Sequence, residues 1–201
     1  MLTRLKAKIQ QLLSGEARFA HEVGLTPNAV SGFGIVFALL SAVTYWKSSS
    51  NTLLLVLAVI FLLLSGFCDA LDGVLARLYG ETTVFGGFLD SLLDRYSDAA
   101  ILGGIIFGGF CDMSWGFVAV IGTLLVSYAR ARAEAAGVKM ESIGLAERPE
   151  RMVVLVVASL ITLVWLDALR WSIILLAFLT NLTVLQRVTY FYKTAKKKTV
   201  A

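Results

Sequence analysis

Six stretches of mostly apolar residues, separated by more polar segments, run through this chain from Asn28 to Tyr192. A stretch of about 20 such residues is long enough to cross the hydrocarbon core of a bilayer as a helix. Backbone polar groups in lipid must be satisfied internally, so consecutive runs of this length dictate helices packed on one another. The expected spans are Asn28–Trp46, Thr52–Tyr79, Phe85–Cys111, Ser114–Glu134, Arg151–Trp165 and Trp171–Tyr192. The composition agrees, with 58% of the 201 residues hydrophobic and only 16% charged, far from the balance of a soluble domain. The fold class expected is therefore all-α integral membrane, with six transmembrane helices in one continuous domain over residues 1–201. Glycines 103, 104, 108 and 109 in the third span are of the kind that lets helices approach closely.

The flanks complete the architecture. In residues 1–24, Leu2, Leu5, Ile9, Leu12 and Leu13 recur at helical spacing, with Arg4, Lys6 and Lys8 elsewhere on the turn. That pattern predicts an amphipathic juxtamembrane helix lying on an anionic leaflet. Residues 25–194 form the six-helix bundle and residues 195–201 a basic tail. Thr26 or Asn28 is placed to cap the first span. Lys and Arg gather at the N-terminus, the Arg77 turn, the Arg130–Arg151 region and the Lys193–Lys198 tail, whereas the other side holds only Lys47 and Arg170. The positive-inside rule then puts both termini in the cytoplasm of a multi-pass cell-membrane protein. The net charge of +4 is spread between apolar runs, which argues for a membrane surface and against nucleic acid as the partner. Cys68 and Cys111, each inside an apolar run, read as packing residues rather than a metal site or a disulfide.

Charge within an apolar span is costly and marks function. Here it is concentrated. The second span ends Asp69-Ala-Leu-Asp72-Gly73-Val-Leu-Ala76-Arg77, and the third begins Gly86-Gly-Phe-Leu-Asp90-Ser-Leu-Leu-Asp94. Asp69 and Asp72 are three apart and Asp90 and Asp94 four apart, so each pair shares a helix face. A short turn between the spans makes them antiparallel neighbours and brings the four carboxylates together near the cytoplasmic interface. Such a group repels itself unless cations neutralise it, and Arg77 is one cation against four anions. Oxygen-only ligands favour Mg²⁺ or Mn²⁺, and two such ions about 4 Å apart serve phosphoryl transfer. Helix–helix salt bridges and a divalent-cation transporter are the alternatives, but the first has too few partners and the second does not call for Gly73, Ala76 and Arg77 at fixed offsets.

The run from Asp69 to Asp94 resembles the signature of the CDP-alcohol phosphotransferase family, D-x2-D-G-x2-A-R-x8-G-x3-D-x3-D, at every fixed position and gap. The resemblance implies an enzyme that moves a phosphatidyl-type group from a CDP-activated lipid to an alcohol and releases CMP. It implies that Asp69, Asp72, Asp90 and Asp94 hold two metal ions, and that Asp94 is the general base. Gly73, Ala76, Arg77 and Gly86 then accommodate the CDP moiety, and the turn from Gly24 to Asn28 lies near the nucleotide. The stretches SYARARAEA and GLAERPERM resemble the branch of the family that uses inositol phosphate, and the archaeal members most. That branch implies Arg130, Arg151 and Arg187 as acceptor-phosphate residues, CDP-archaeol as donor and a homodimer as the assembly. Glycerol 3-phosphate as acceptor and CDP-diacylglycerol as donor remain open by the same resemblance. Asp98, one turn beyond Asp94, is either a partner for Arg95 or a structural contact; Thr82, Thr83, Arg132 and Arg148 carry no assigned role.

Overall fold

The computed structural model describes residues 12–48, 51–140 and 143–200, and over them the chain is all helix and turn. Seven helices follow in order: α1 Ser14–Glu22, α2 Pro27–Lys47, α3 Thr52–Leu78, α4 Val84–Phe107, α5 Met113–Ala135, α6 Arg148–Thr162 and α7 Ala168–Val200. Helices thus stand at all six expected spans. Four of them, α2, α3, α5 and residues 168–196 of α7, are long and apolar enough to cross a membrane. The other two differ for separate reasons. Helix α4 has the length, but Asp90, Asp94, Arg95 and Asp98 dilute its first half, and α6 has only 15 residues, or about 22 Å. The expected basic tail at 195–201 is not a separate segment, because α7 continues unbroken to Val200. Leu2, Leu5 and Ile9, on which the N-terminal amphipathic pattern mostly rests, lie outside the described residues.

Three helix starts are fixed by side chains. Thr26, not Asn28, caps α2 by accepting from the Ala29 N–H, with Pro27 at the first helical position. Asn51 caps α3 and Thr83 caps α4, the latter accepting from the Gly86 N–H at 2.9 Å. Gly80, at φ +69°, supplies the left-handed residue that ends α3 and turns the chain back.

Packing departs from the sequence expectation in one respect. Helices α3 and α4 are joined by the short turn, yet they touch little; the dominant packings are α2 on α3 and α2 on α4. Helix α2 is the wedge between them. Its buried residues Val30, Gly34, Ala38, Ser41 and Tyr45 recur every three or four positions and are mostly small. Toward α3, Gly34 meets Cys68, and the Ser41 hydroxyl donates to the Ala58 carbonyl at 2.8 Å. Toward α4, Gly104 and Gly108 meet the backbone of Ala42 and Tyr45. Of the four glycines expected at close contacts, these two make them; Gly103 faces open space, and Gly109 lies past the helix end at φ +75°.

The core continues through Leu62, Ile101, Ile105, Leu155, Leu169 and Ile173, while Phe33, Leu39, Leu63, Phe117 and Phe178 among others point outward. Outward apolar side chains on long helices are what lipid contact requires. Helix α1 docks on α3, with Ala17 in a cluster with Cys68, Leu71 and Val74. Both cysteines are free, with Cys68 buried in that cluster.

Candidate active site

The carboxylates converge where α3 ends and α4 begins. Asp69, Asp90 and Asp94 each present an oxygen within 4.8 Å of the other two, close enough to share one cation. Asp72 stands beside them rather than among them. It is 6% exposed and accepts a hydrogen bond from the Ser31 hydroxyl of α2 at 2.5 Å. All four aspartates nonetheless border one small void, together with Ser31, Ser65, Ser97 and Arg148. The donor set is oxygen throughout, with no histidine or thiolate at hand, and it fits a hard divalent ion. A group of anions this dense in a half-buried position also calls for a counter-cation, since burial magnifies their mutual repulsion.

A cleft of about 190 Å³ opens from this cluster on the side of α2. Every residue expected at the CDP moiety borders it: Gly73, Ala76, Arg77 and Gly86. Pro27, Asn28, Thr82 and Thr83 complete the wall, so the turn before α2 does lie at this cleft. The small residues matter individually. A Cβ on Gly86 would stand 2.9 Å from the Thr83 hydroxyl and 3.2 Å from the Asn28 side chain, and one on Gly73 would stand 3.2 Å from the Arg77 guanidinium. Glycine at both places keeps the floor open while Arg77 folds back along its own helix. Thr83 serves as a helix cap as well as a wall residue.

A second, wider groove of about 730 Å³ lies between α4 and α5, bordered by Asp90, Asp94, Arg95, Ser127, Tyr128, Arg130 and Glu134. Asp90 borders both cleft and groove; Asp94 borders the groove and the inner void. The three arginines expected at an acceptor phosphate are not equivalent. Arg130 lines the groove, paired to Glu134 at 2.9 Å. Arg187 lies 3.5 Å from Glu147, so each of the three arginines has a carboxylate partner. Arg151 and Arg187, however, are 5% and 2% exposed and have their forks engaged. Arg151 donates to the Ala146 carbonyl at 2.9 Å and to Asp98 at 2.5 Å, and Arg187 donates to the Ile143 and Val126 carbonyls. They tie down the loop between α5 and α6, whose carbonyls have no helical partners.

Two residues belong to this site that sequence reasoning did not place. Ser31 orients Asp72, and nothing in an apolar helix distinguishes it from the other serines there. Arg148, at the first position of α6, reaches Asp69, Asp94 and Asp98. Asp98 accordingly pairs with Arg148 and Arg151 and not with Arg95, which lies 3.5 Å from Asp94 instead. The charge of Arg148 was visible in the sequence, but the packing of α6 against α3 that delivers it was not.

The family model for CDP-alcohol phosphatidyltransferase matches residues 24–183. The archaetidylinositol phosphate synthase of Pyrococcus horikoshii is 39% identical over 188 residues, covering 94% of this chain and 95% of its own. That of Methanothermobacter thermautotrophicus is 36% identical over 200 residues, covering 98% and 96%. Crystal structures of Mycobacterium tuberculosis phosphatidylinositol phosphate synthase share the fold. The one with CDP-DAG bound has a TM-score of 0.79 at 28% identity, over 90% of this chain and 94% of that one. The one in complex with manganese and citrate has a TM-score of 0.79 at 28% identity, over 90% and 88%.

Proposed function

Because the chain belongs to the CDP-alcohol phosphatidyltransferase family, we propose that it transfers the lipid phosphoryl group of CDP-archaeol to inositol phosphate, with release of CMP. The enzyme class follows from the family: it is a transferase of phospholipid synthesis, and the transporter alternative falls away. The observation that carries the proposal is the placement of the acidic cluster between a cleft lined by the CDP-type residues and a groove lined by Arg130. The names of the archaeal relatives supply the acceptor and the archaeol donor. The CDP-DAG complex of the mycobacterial enzyme favours a second reading, in which CDP-diacylglycerol is the donor and the chemistry is unchanged.

Asp69, Asp72, Asp90 and Asp94 would hold two Mg²⁺ or Mn²⁺ ions. Bound there, such ions neutralise diphosphate charge and stabilise the oxygens at which charge develops. The protein's own groups do the rest. Gly73, Ala76 and Gly86 let the nucleotide lie against the helices, and Arg77 meets its phosphates with a forked donor. Arg130, with Arg151 and Arg187 behind it, gives the groove the positive potential that draws a phosphorylated acceptor. Asp94 faces that groove, so an acceptor hydroxyl entering there meets its carboxylate. The hydroxyl oxygen bonds to the lipid-side phosphorus, its proton passes to Asp94, and the bond from that phosphorus to the CMP oxygen breaks. Holding both substrates in line supplies much of the acceleration.

The same reading includes the membrane arrangement. All six helices α2–α7 cross the bilayer as a single domain, the acidic half of α4 lies near the cytoplasmic interface, and α1 rests on that surface. Both termini and the site face the cytoplasm, where the arginines and lysines concentrate, and two copies assemble as a homodimer. The short α6 and the polar start of α4 support a site near the surface, where the hydrocarbon to be crossed is less.

Purified protein with Mg²⁺ should release CMP from CDP-archaeol only when inositol phosphate is present, among inositol phosphate, inositol, glycerol 3-phosphate and serine. Asp94→Asn should lower that release at least ~100-fold while the protein still folds. Release dependent on another acceptor would overturn the groove assignment, and near-normal turnover by Asp94→Asn would remove the base.

A further inference from the structure

Arg148 has no part in the reaction just described, yet it is the cation nearest the carboxylates. It opens α6 immediately before Pro149, and its side chain is 14% exposed. One nitrogen, Nη1, contacts Asp69 and lies 2.9 Å from Asp94, so a single group bridges two of the three aspartates that could share an ion. Nε lies 3.5 Å from one oxygen of Asp98, whose other oxygen is 2.5 Å from Nη2 of Arg151. Arg148 is therefore held at its stem by Asp98 while its tip engages the cluster.

Those tip contacts conflict with metal loading. Nη1 occupies the space against the oxygens that a divalent ion would need, and a guanidinium beside such an ion is repelled strongly where the surroundings are poorly polarisable. Without a cation, on the other hand, the aspartates repel one another and oppose the convergence of α3 and α4. A guanidinium cannot lose its charge to escape the conflict. It can only move.

We propose that Arg148 is the cluster's resident counter-ion. It competes with divalent cations for Asp69 and Asp94, and it withdraws from them when a cation is taken up, retained at the head of α6 by Asp98. It lets the bundle fold with the carboxylates uncompensated by metal, and it lowers the affinity of the site for metal. The inference rests on the metal-site reading above.

The test is Mn²⁺ binding to the full-length protein in detergent, read from loss of the free-ion EPR signal, with thermal unfolding in EDTA alongside. Arg148→Gln, which keeps bulk and removes charge, should bind Mn²⁺ at least about tenfold more tightly than the unaltered protein. It should also unfold at a lower temperature in EDTA and recover when Mn²⁺ is added. Arg148→Lys keeps the charge but not the fork, and should tighten Mn²⁺ binding by a smaller factor; it carries the test if the glutamine variant does not fold. A merely structural arginine would lower the unfolding temperature with and without metal and would not tighten binding. Unchanged or weaker Mn²⁺ affinity in a folded variant overturns the proposal and leaves the metal site standing. Failure of the unaltered protein to bind Mn²⁺ removes both.

Discussion

The wedge formed by α2 can be tested at one atom. Gly104→Ala places a Cβ on α4 that would stand 2.3 Å from the Ala42 carbonyl oxygen, 2.7 Å from its Cα and 2.8 Å from its carbonyl carbon. Ordinary contact begins at 3.4 Å, so the shortfall at the oxygen is 3.4 − 2.3, or about 1 Å. Every one of those atoms is backbone, and no rotamer change relieves it. The two helices must separate, and overpacking of this kind costs about 1–3 kcal/mol, here toward the upper end. Alanine returns roughly 1 kcal/mol through its better helix propensity, leaving a net loss of about 2 kcal/mol. The neighbouring Gly103 is the control, because nothing lies within 4 Å of its Cβ position. Gly103→Ala should keep the propensity gain and stabilise by up to about 1 kcal/mol. Equilibrium unfolding in mixed micelles, followed by tryptophan fluorescence, separates the two. Gly104→Ala within about 0.5 kcal/mol of the unaltered protein, the ordinary range for surface changes, would refute the close crossing of α2 and α4.

EDTA should abolish CMP release, and either Mg²⁺ or Mn²⁺ should restore it; release that persists in chelator would contradict the role given to the aspartates. Ser31→Ala removes the donor to buried Asp72, a bond to a charged group worth about 1.5–3 kcal/mol. Titration should show Mn²⁺ affinity altered by roughly tenfold or more, with Ser31→Thr closer to normal. Arg151→Met leaves Asp98 with one partner and the Ala146 carbonyl with none, and should destabilise the protein by about 3–5 kcal/mol in chemical unfolding. An effect confined to the KM for inositol phosphate would show instead that Arg151 acts on the acceptor alone.

Much of this molecule is legible in its sequence because the signals are one-dimensional. Each apolar run became a helix, and all but the last, which runs on to Val200, end within about four residues of expectation, helped at their starts by the local caps Thr26, Asn51 and Thr83. Asp69, Asp90 and Asp94 met as their spacing implied, and the CDP-type residues lined one cleft. What was not legible depends on which helix packs on which. The shortness of the turn between them suggested that α3 and α4 lie side by side, but small residues on α2 and glycines on α4 give α2 the closer approach. The arginines show the same limit. Sequence gives Arg151 and Arg187 a charge and an address, whereas their hydrogen bonds go to the Ala146 and Ile143 carbonyls of an irregular loop and to the Val126 carbonyl of α5, partners that only the packing supplies.

The interposition of α2 means that the signature motif is not a self-sufficient device. Its two acidic halves are contiguous along the chain, yet the width of the opening between them is set by a helix that contributes none of the eight signature residues. A hairpin carrying only α3 and α4 would lose the spacer, the hydroxyl on Asp72 and one wall of the cleft together. The cleft beside the aspartates is the joint work of the trio from Thr26 to Phe107. Substitutions along the buried face of α2, remote from every aspartate, should therefore retune the site as surely as changes within the motif itself.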